Sequence, residues 1–360
     1  PPEPFVVEAK QQGLVGIRAL TAERWSALRG ELSRSASQTQ QAQGRPADFG
    51  DPLAVLALGD GAVQTFGDTL ASCERARFTL LAEADRLELA VELVPSNGGL
   101  AARSTAELSV GSLEALLALP GTVDVAVLTR VGESELGRGA ADPAGALREI
   151  LGSRLPAADT KAVTDAFAHF QRGRGSTAVY GITQSAGLLV EQQVRDRAAM
   201  AAGLEGLFGL LRLPALKDPL SQRFGEIVAK ASVRRVAGVE GSVEHVQIAA
   251  PKGKGREGLE ALWVVRDDHA TLSVARQASE GLLAAEAGPP SQSLGASPTL
   301  QAMAARRSPS SFALYWDAAP PGTPAVPALV TFGKRETSAR LEAELSGAAV
   351  AVLAALLGAP

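Results

Sequence analysis

The chain has 360 residues, enough for two cores of ordinary size, since single cores tend to split beyond about 250 residues. Its 35 basic and 39 acidic residues are mixed at short range for a formal charge of -4, so it lacks the polybasic footprint of a nucleic-acid binder. A single cysteine, Cys73, excludes an intramolecular disulfide and any zinc site built on paired thiolates; entering a strand, it is expected as a small buried apolar residue.

The sequence opens on PPEPFVVEAK, and a Pro-rich start without Met fits a processed, exported chain. The basic residues are mostly Arg, as in a GC-rich bacterial coding sequence. TAERWSALRGEL spaces Trp25, Leu28 and Leu32 for one apolar helix face, with Trp25 in the core. Ser33 to Pro52 reads as a loop. FTLLAEADRLELAVEL then puts Leu87, Leu89, Val91 and Leu93 on one face and Glu88 and Glu92 on the other, the alternation of a half-exposed hairpin. A helix in SLEALLALPG and a strand TVDVAVLTR follow. DPAGALREILG has Asp142 as N-cap, Pro143 at the first helical position and Gly152 at the end.

A helix in TKAVTDAFAHFQR leads to a second hairpin, VYGITQSAGLLVEQQV, turning at Gln184 to Gly187. AAMAAGLEGLFGLLRLPALKDPL is an almost wholly apolar helix that breaks near Pro214 and is expected to be buried. Its alternative use is as one wall of a cavity for an apolar ligand, shared with the C-terminal helix. DPLSQRFGEIVAKA repeats the Asp-Pro helix start at Asp218. Three further hairpins are RVAGVEGSVEHVQIA, LWVVRDDHATLSVA and LVTFGKRETSARLEAEL, the last setting Leu341 and Leu345 against Glu342 and Glu344. Between them GPPSQSLGASP reads as a loop, and SPTLQAMAARR starts a helix at Ser297, before the strand SFALYWD. No run reaches the roughly 18 apolar residues of a membrane span; SGAAVAVLAALLGAP at the C-terminus is too short and reads as a buried helix.

The expected fold class is therefore α+β, with mainly antiparallel sheets built from repeated β-hairpins and helices packed on one face. Hairpin, helix and strand recur in that order in both halves, which predicts two related lobes, 1–196 and 197–360.

Motifs for chemistry are few. GKGREG, Gly253 to Gly258, has the glycines of a dinucleotide fingerprint, but LEALWVV follows it where a helix N-terminus is required, so it reads as a loop. ADFG at Asp48 stands without the other kinase motifs, and GxSxG, P-loop and HExxH patterns do not occur. His169 and His245 lack the short spacing of metal ligands and read as structural. Asp267, Asp268 and His269 form an acidic turn, and Asp side chains are favoured in turns because they bond nearby amides; the trio reads as solvated. The candidate contact surface is aromatic: Trp263, Tyr315 and Trp316, with Phe312 nearby. Strand alternation puts Tyr315 and Trp316 on opposite faces, so at most one shares the core with Trp263.

LEALWVVRDDHATLSVARQASEGLLAAEA followed by SLGASPTLQAMAARRSPSSFALYWDA, and more loosely RFTLLAEADRLELAVELVPSNGGLAARSTAEL, resembles uncharacterised exported bacterial proteins grouped only as domains of unknown function. The resemblance implies a periplasmic or surface-anchored location and no known activity. With no catalytic, cofactor-binding or metal-binding residue assigned, the expectation is a non-enzymatic envelope protein that binds another envelope protein or acts as a scaffold. A carrier of lipid or another apolar ligand is the alternative, and an enzyme without a recognisable motif a third.

Overall fold

The structure, a computed structural model, describes residues 5–7, 73–82, 86–98, 100–133, 136, 156–183, 187–215, 230–240, 243–248, 259–275, 279–317 and 326–349. The helices expected at Trp25, Asp142 and Asp218, the loop from Ser33 to Pro52, GKGREG, ADFG and nearly all of the C-terminal helix lie outside these residues. The chain forms two compact units, 1–108 with 331–360, and 109–330. This division differs from the expected boundary after residue 196, because packing and pairing cross that point within the second unit.

In the first unit, strand β1 (Phe5–Val7) runs parallel to β2 (Cys73–Ala82), which pairs antiparallel with β3 (Arg86–Pro95), followed by helix α1 (Leu100–Glu107). The strand β13 (Ser338–Ser346) pairs antiparallel with β3, with Leu341 opposite Val91 and Ala339 opposite Leu93. Val91, Leu93 and Ala339 form its core, with half-buried Cys73 and Leu341 against them. The expected solvated face of β13 is instead buried: Glu342 and Glu344 are 2% and 1% exposed. Burying carboxylates requires compensating charge and hydrogen bonds. Arg340 supplies one such partner, with Nε 2.9 Å from Glu342 Oε1, while Ser338 Oγ donates to Glu92 Oε1 at 2.9 Å.

The second unit contains helix α2 (Glu114–Ala118), strand β4 (Val125–Arg130), helix α3 (Ala157–Gly173), strands β5 (Arg174–Ile182) and β6 (Leu188–Val194), and helix α4 (Arg197–Gly209). Next come β7 (Lys230–Arg234), β8 (Val243–Ile248), β9 (Leu259–Val265), β10 (His269–Ala275), helices α5 (Ser279–Glu286) and α6 (Pro298–Ala305), and β11 (Ser310–Asp317). Strand β12 (Pro327–Arg335) begins in this unit. The order from β11 is β11, β4, β5, β6, β10, β9, β8, β7, and each registered pair is antiparallel.

Helices cover both faces of this sheet, which corrects the expectation of one helical face. On one face, Leu116 of α2 and Leu300 and Met303 of α6 pack with Ala126, Leu128, Val179, Leu189 and Tyr315. On the other, Met200 and Leu204 of α4 pack with Val194, Trp263 and Ala270. The reason is visible in β9, where Ala261, Leu262, Trp263 and Val264 are all buried: consecutive side chains point to opposite faces, so an unbroken apolar run demands cover on both. The capped starts are local chemistry. Ser297 Oγ accepts from Leu300 N at 3.4 Å with Pro298 at the first helical position, and Asp196 Oδ1 accepts from Ala199 N at 3.0 Å. Among the described residues no helix is long and apolar enough to cross a membrane.

Helices α3 and α4 approach until backbone meets backbone. A Cβ at Gly203 would lie 2.5 Å from Phe170 N, and one at Gly173 would lie 2.3 Å from Met200 N. Gly203→Ala is therefore expected to destabilise the protein by about 1–3 kcal/mol, because overpacking outweighs the helix-propensity gain of at most about 1 kcal/mol. The urea midpoint of the variant against the parent checks this, and an unchanged or raised midpoint contradicts it.

Candidate functional site

The site is assembled from cross-strand neighbours. Tyr180 of β5 lies opposite Val190 of β6, Val190 opposite Leu272 of β10, and Leu272 opposite Trp263 of β9, so four apolar side chains form one row on one face. In the other direction the row continues through Val127 of β4 to Leu314 of β11. Over the Trp263 end sits α4, whose Phe208 ring stacks on Trp263 with centroids 4.4 Å apart and planes 10° apart. Over the middle there is a cavity of about 350 Å³.

Met200, Leu204, Leu207, Phe208 and Leu211 form its helical wall, Phe170 closes it from α3, and Tyr180, Val190, Ala270 and Leu272 form its floor. No charged side chain lines it. Gln192, its polar wall residue, is held elsewhere: the two hydrogens of Nε2 are shared among the carbonyls of Gly175, Thr177 and Gln193 at 3.2, 2.9 and 3.1 Å. Thr271 also borders the cavity, but strand alternation sends its hydroxyl to the opposite face, where it accepts from Arg266 Nη1 at 3.1 Å. Apolar exposure follows the open side of the row, with Tyr180 40% and Ile182 48% exposed.

The three aromatic residues expected as a contact surface are separated. Trp263 is 3% exposed beneath Phe208, and Tyr315 is 3% exposed in the core of the opposite face. Burial, reinforced by the nearby carboxylates of Asp317 and Asp124, pushes the Tyr315 phenol well above its ordinary range. Trp316 is half-buried and lies opposite Val125, which itself lies opposite Ile182; it therefore shares the face of the cavity.

The acidic turn joins β9 to β10. Asp267 Oδ1 meets Arg197 Nη1 at 2.8 Å, with both side chains largely solvated. His269 Nδ1 lies 2.7 Å from Asp268 Oδ1, and its Nε2 lies 2.8 Å from Arg266 Nη1. A guanidinium only donates, so in this geometry Nε2 is the acceptor and Nδ1 faces the Asp268 carboxylate as donor. The hydrogen bond from His269 holds the Asp268 carboxyl below its usual range.

Behind this turn the structure collects ionisable groups that lie far apart in the sequence. Glu191 of β6 lies opposite Thr271, and Glu286 ends α5 with its side chain 8% exposed. Glu286 Oε1 is 3.6 Å from Arg266 Nη1 and 3.7 Å from His269 Nε2, and its buried Oε2 has no hydrogen-bond partner. Burial, and then the charge of Glu286, push the Glu191 carboxyl up to about 7 against the opposing pull of Arg266. The signal for Glu191 was its phase: in LLVEQQV it alternates onto the face of Leu189, a core residue. His245 is structural, with Nδ1 3.1 Å from Ser232 Oγ and Nε2 2.7 Å from Glu260 Oε1. Among the described residues no group of three or more His, Cys, Asp or Glu is placed to hold a metal.

Glu191 makes stability depend on pH in a definite direction. Its ordinary value is 4.5 and its folded value about 7, so the folded state holds the proton longer and stability falls as pH rises between them. Glu191→Gln removes this loss, so the variant is expected to gain on the parent from about pH 4.5 to 7 and to level off above, at on the order of 3 kcal/mol. Urea unfolding at pH 5 and pH 8 measures it; a gain that is equal at both values contradicts the assignment.

No protein-family model, curated protein or solved structure matches the chain, so no relative lends it a function.

Proposed function

We propose that this chain is a non-enzymatic binding protein that carries an apolar small molecule between helices α3 and α4 and the sheet face of β5, β6 and β10. The observation that supports the reading is the uncharged cavity of about 350 Å³, which is of the size that small ligands occupy. One face of α4 packs into core through Met200 and Leu204, and the same helix borders this recess through Leu207, Phe208 and Leu211. The ionisable groups around Arg266 bear on an enzymatic reading, but His269 bonds Asp268 and Arg266, and Glu286 faces that same guanidinium, so they chiefly hold one another.

The protein-partner reading draws on a different observation: Tyr180, Ile182 and Trp316 leave apolar surface on the same face, where another envelope protein would dock. The cavity favours the carrier, because a docking surface needs no concave, uncharged recess. The resemblance to exported proteins supports a periplasmic or surface-anchored setting. The order hairpin, helix, helix, strand in 73–130 and again in 259–317 supports descent of the chain from two related hairpin-helix lobes.

Leu272 lies on the cavity floor between Val190 and Trp263, and strands accept tryptophan readily. Leu272→Trp is expected to fill the void and weaken binding of the apolar fluorescent probe N-phenylnaphthylamine at least tenfold while the thermal midpoint stays within a few degrees. A parent protein that leaves the probe unbound, or a folded variant that binds it as the parent does, sinks the proposal.

A further inference from the structure

We infer that the molecule this recess takes is uncharged and aromatic, preferred over a saturated molecule of the same carbon frame. The inference rests on the recess being a ligand site and adds the chemistry of its occupant.

Rings are concentrated here. Aromatic residues make up 4% of the chain, yet Phe170, Tyr180 and Phe208 are three of the twelve residues that line the recess, so composition alone does not account for them. They come from three elements: Phe170 from α3, Tyr180 from β5 and Phe208 from α4. Register sets their spacing along the floor. Tyr180, Val190, Leu272 and Trp263 are successive cross-strand neighbours, and three strand spacings of about 4.8 Å put Tyr180 roughly 14 Å from Trp263. A molecule resting on Val190 and Leu272 therefore has Tyr180 to one side and, to the other, the Phe208 ring that lies over Trp263.

The orientation of Phe208 makes this supply selective. One face of its ring is taken by Trp263, which is itself buried, with centroids 4.4 Å apart and planes 10° apart. What Phe208 presents to the recess is thus its other face or its edge. The face of an aromatic ring is electron-rich and its edge electron-poor, and a second ring complements either one, by offset stacking or edge-on; a saturated ring does neither. Stacking on Trp263 also holds the Phe208 ring in place before a ligand arrives, so little freedom is lost on binding. The lining excludes charge. It has no charged side chain, Gln192 Nε2 is engaged by backbone carbonyls and the Thr271 hydroxyl by Arg266, so an ionised ligand loses water without gaining a partner. A single neutral polar substituent is accommodated where Tyr180, 40% exposed, meets solvent.

The test compares naphthalenemethanol with its decahydro analogue, which carry the same hydroxyl on the same carbon frame, by nuclear magnetic resonance of the full chain labelled at the methionine methyl groups. The chain has two methionines: Met200 lines the recess and Met303 lies in the core of the opposite sheet face, so one resonance reports the site and the other is its control. The aromatic alcohol is expected to move the Met200 resonance, leave Met303 in place, and bind about fivefold more tightly than the saturated one. Burial alone favours the saturated alcohol, which has the larger apolar surface. Naphthoate, ionised at neutral pH, should bind at least about tenfold more weakly than the aromatic alcohol. Tyr180→Leu, at a half-exposed position, and Phe208→Leu should each lower the aromatic preference about threefold. The parent comparison decides the matter even where a variant does not fold. Equal or tighter binding of the saturated alcohol at Met200, or an unchanged preference in both folded variants, overturns the aromatic assignment and leaves the apolar-carrier reading intact. Naphthoate binding as tightly as the alcohol overturns the uncharged assignment. If neither alcohol nor N-phenylnaphthylamine moves the Met200 resonance, the inference and the carrier reading both fall.

Discussion

Alternation along two adjacent strands sets the character of the second unit. On β6, Val190 and Gln192 face the cavity while Glu191 between them faces away; on β10, Ala270 and Leu272 face it while Thr271 does not. Two strands about 4.8 Å apart thus present an uncharged floor on one side and a buried carboxyl cluster on the other. A shift of register by one residue would exchange the two faces, placing Glu191 beneath α4 and Leu272 among Arg266 and Glu286. That exchange would strand a charge in an apolar wall, so the cluster and the cavity jointly specify one pairing.

The cavity also depends on how α3 and α4 meet. Close approach needs residues without side chains, and Gly173, Gly203 and Gly206 supply them on one seam. Phe170 and Phe208 lie beside that seam, and both line the cavity. Stacking of Phe208 on Trp263 then fixes the height of α4 above the sheet. The Arg197 to Asp267 pair at the start of the helix is solvated on both sides, and such pairs contribute about 0–1 kcal/mol, so the aromatic contact and the buried Met200 and Leu204 carry the placement.

What was legible in the sequence follows the range of the physics involved. The Ser297, Pro298 start of α6 and the break of the apolar helix before Pro214 are local, and both are found where they were expected. The opposite facing of Tyr315 and Trp316 is equally local, since it needs only the pleat. Burial of Trp263 was harder to see, because ALWVV fits a strand covered on both sides and the covering helix lies more than fifty residues earlier. The partnership of Glu191, Arg266, His269 and Glu286 joins three elements, and no spacing announces it. Glu342 and Glu344 show the same limit in the first unit: an alternating Leu and Glu pattern marks two faces but not which of them is buried once an arginine is there to compensate.

The carboxyl cluster has a consequence for how firmly the floor of the cavity is held. Glu191 is tolerated in its position because near neutrality it retains its proton about half the time, which spares the sheet a second buried negative charge beside Glu286. Arg266 offsets one carboxylate and also lies within hydrogen-bond reach of His269 Nε2. One guanidinium thus faces two acids, and the shortfall of charge is met by a proton. The strand that carries this proton is the strand whose other face, through Val190 and Gln192, bounds the cavity. The proton that relieves the back of the floor therefore favours the ordered pairing of β6 and β10 that bounds the cavity.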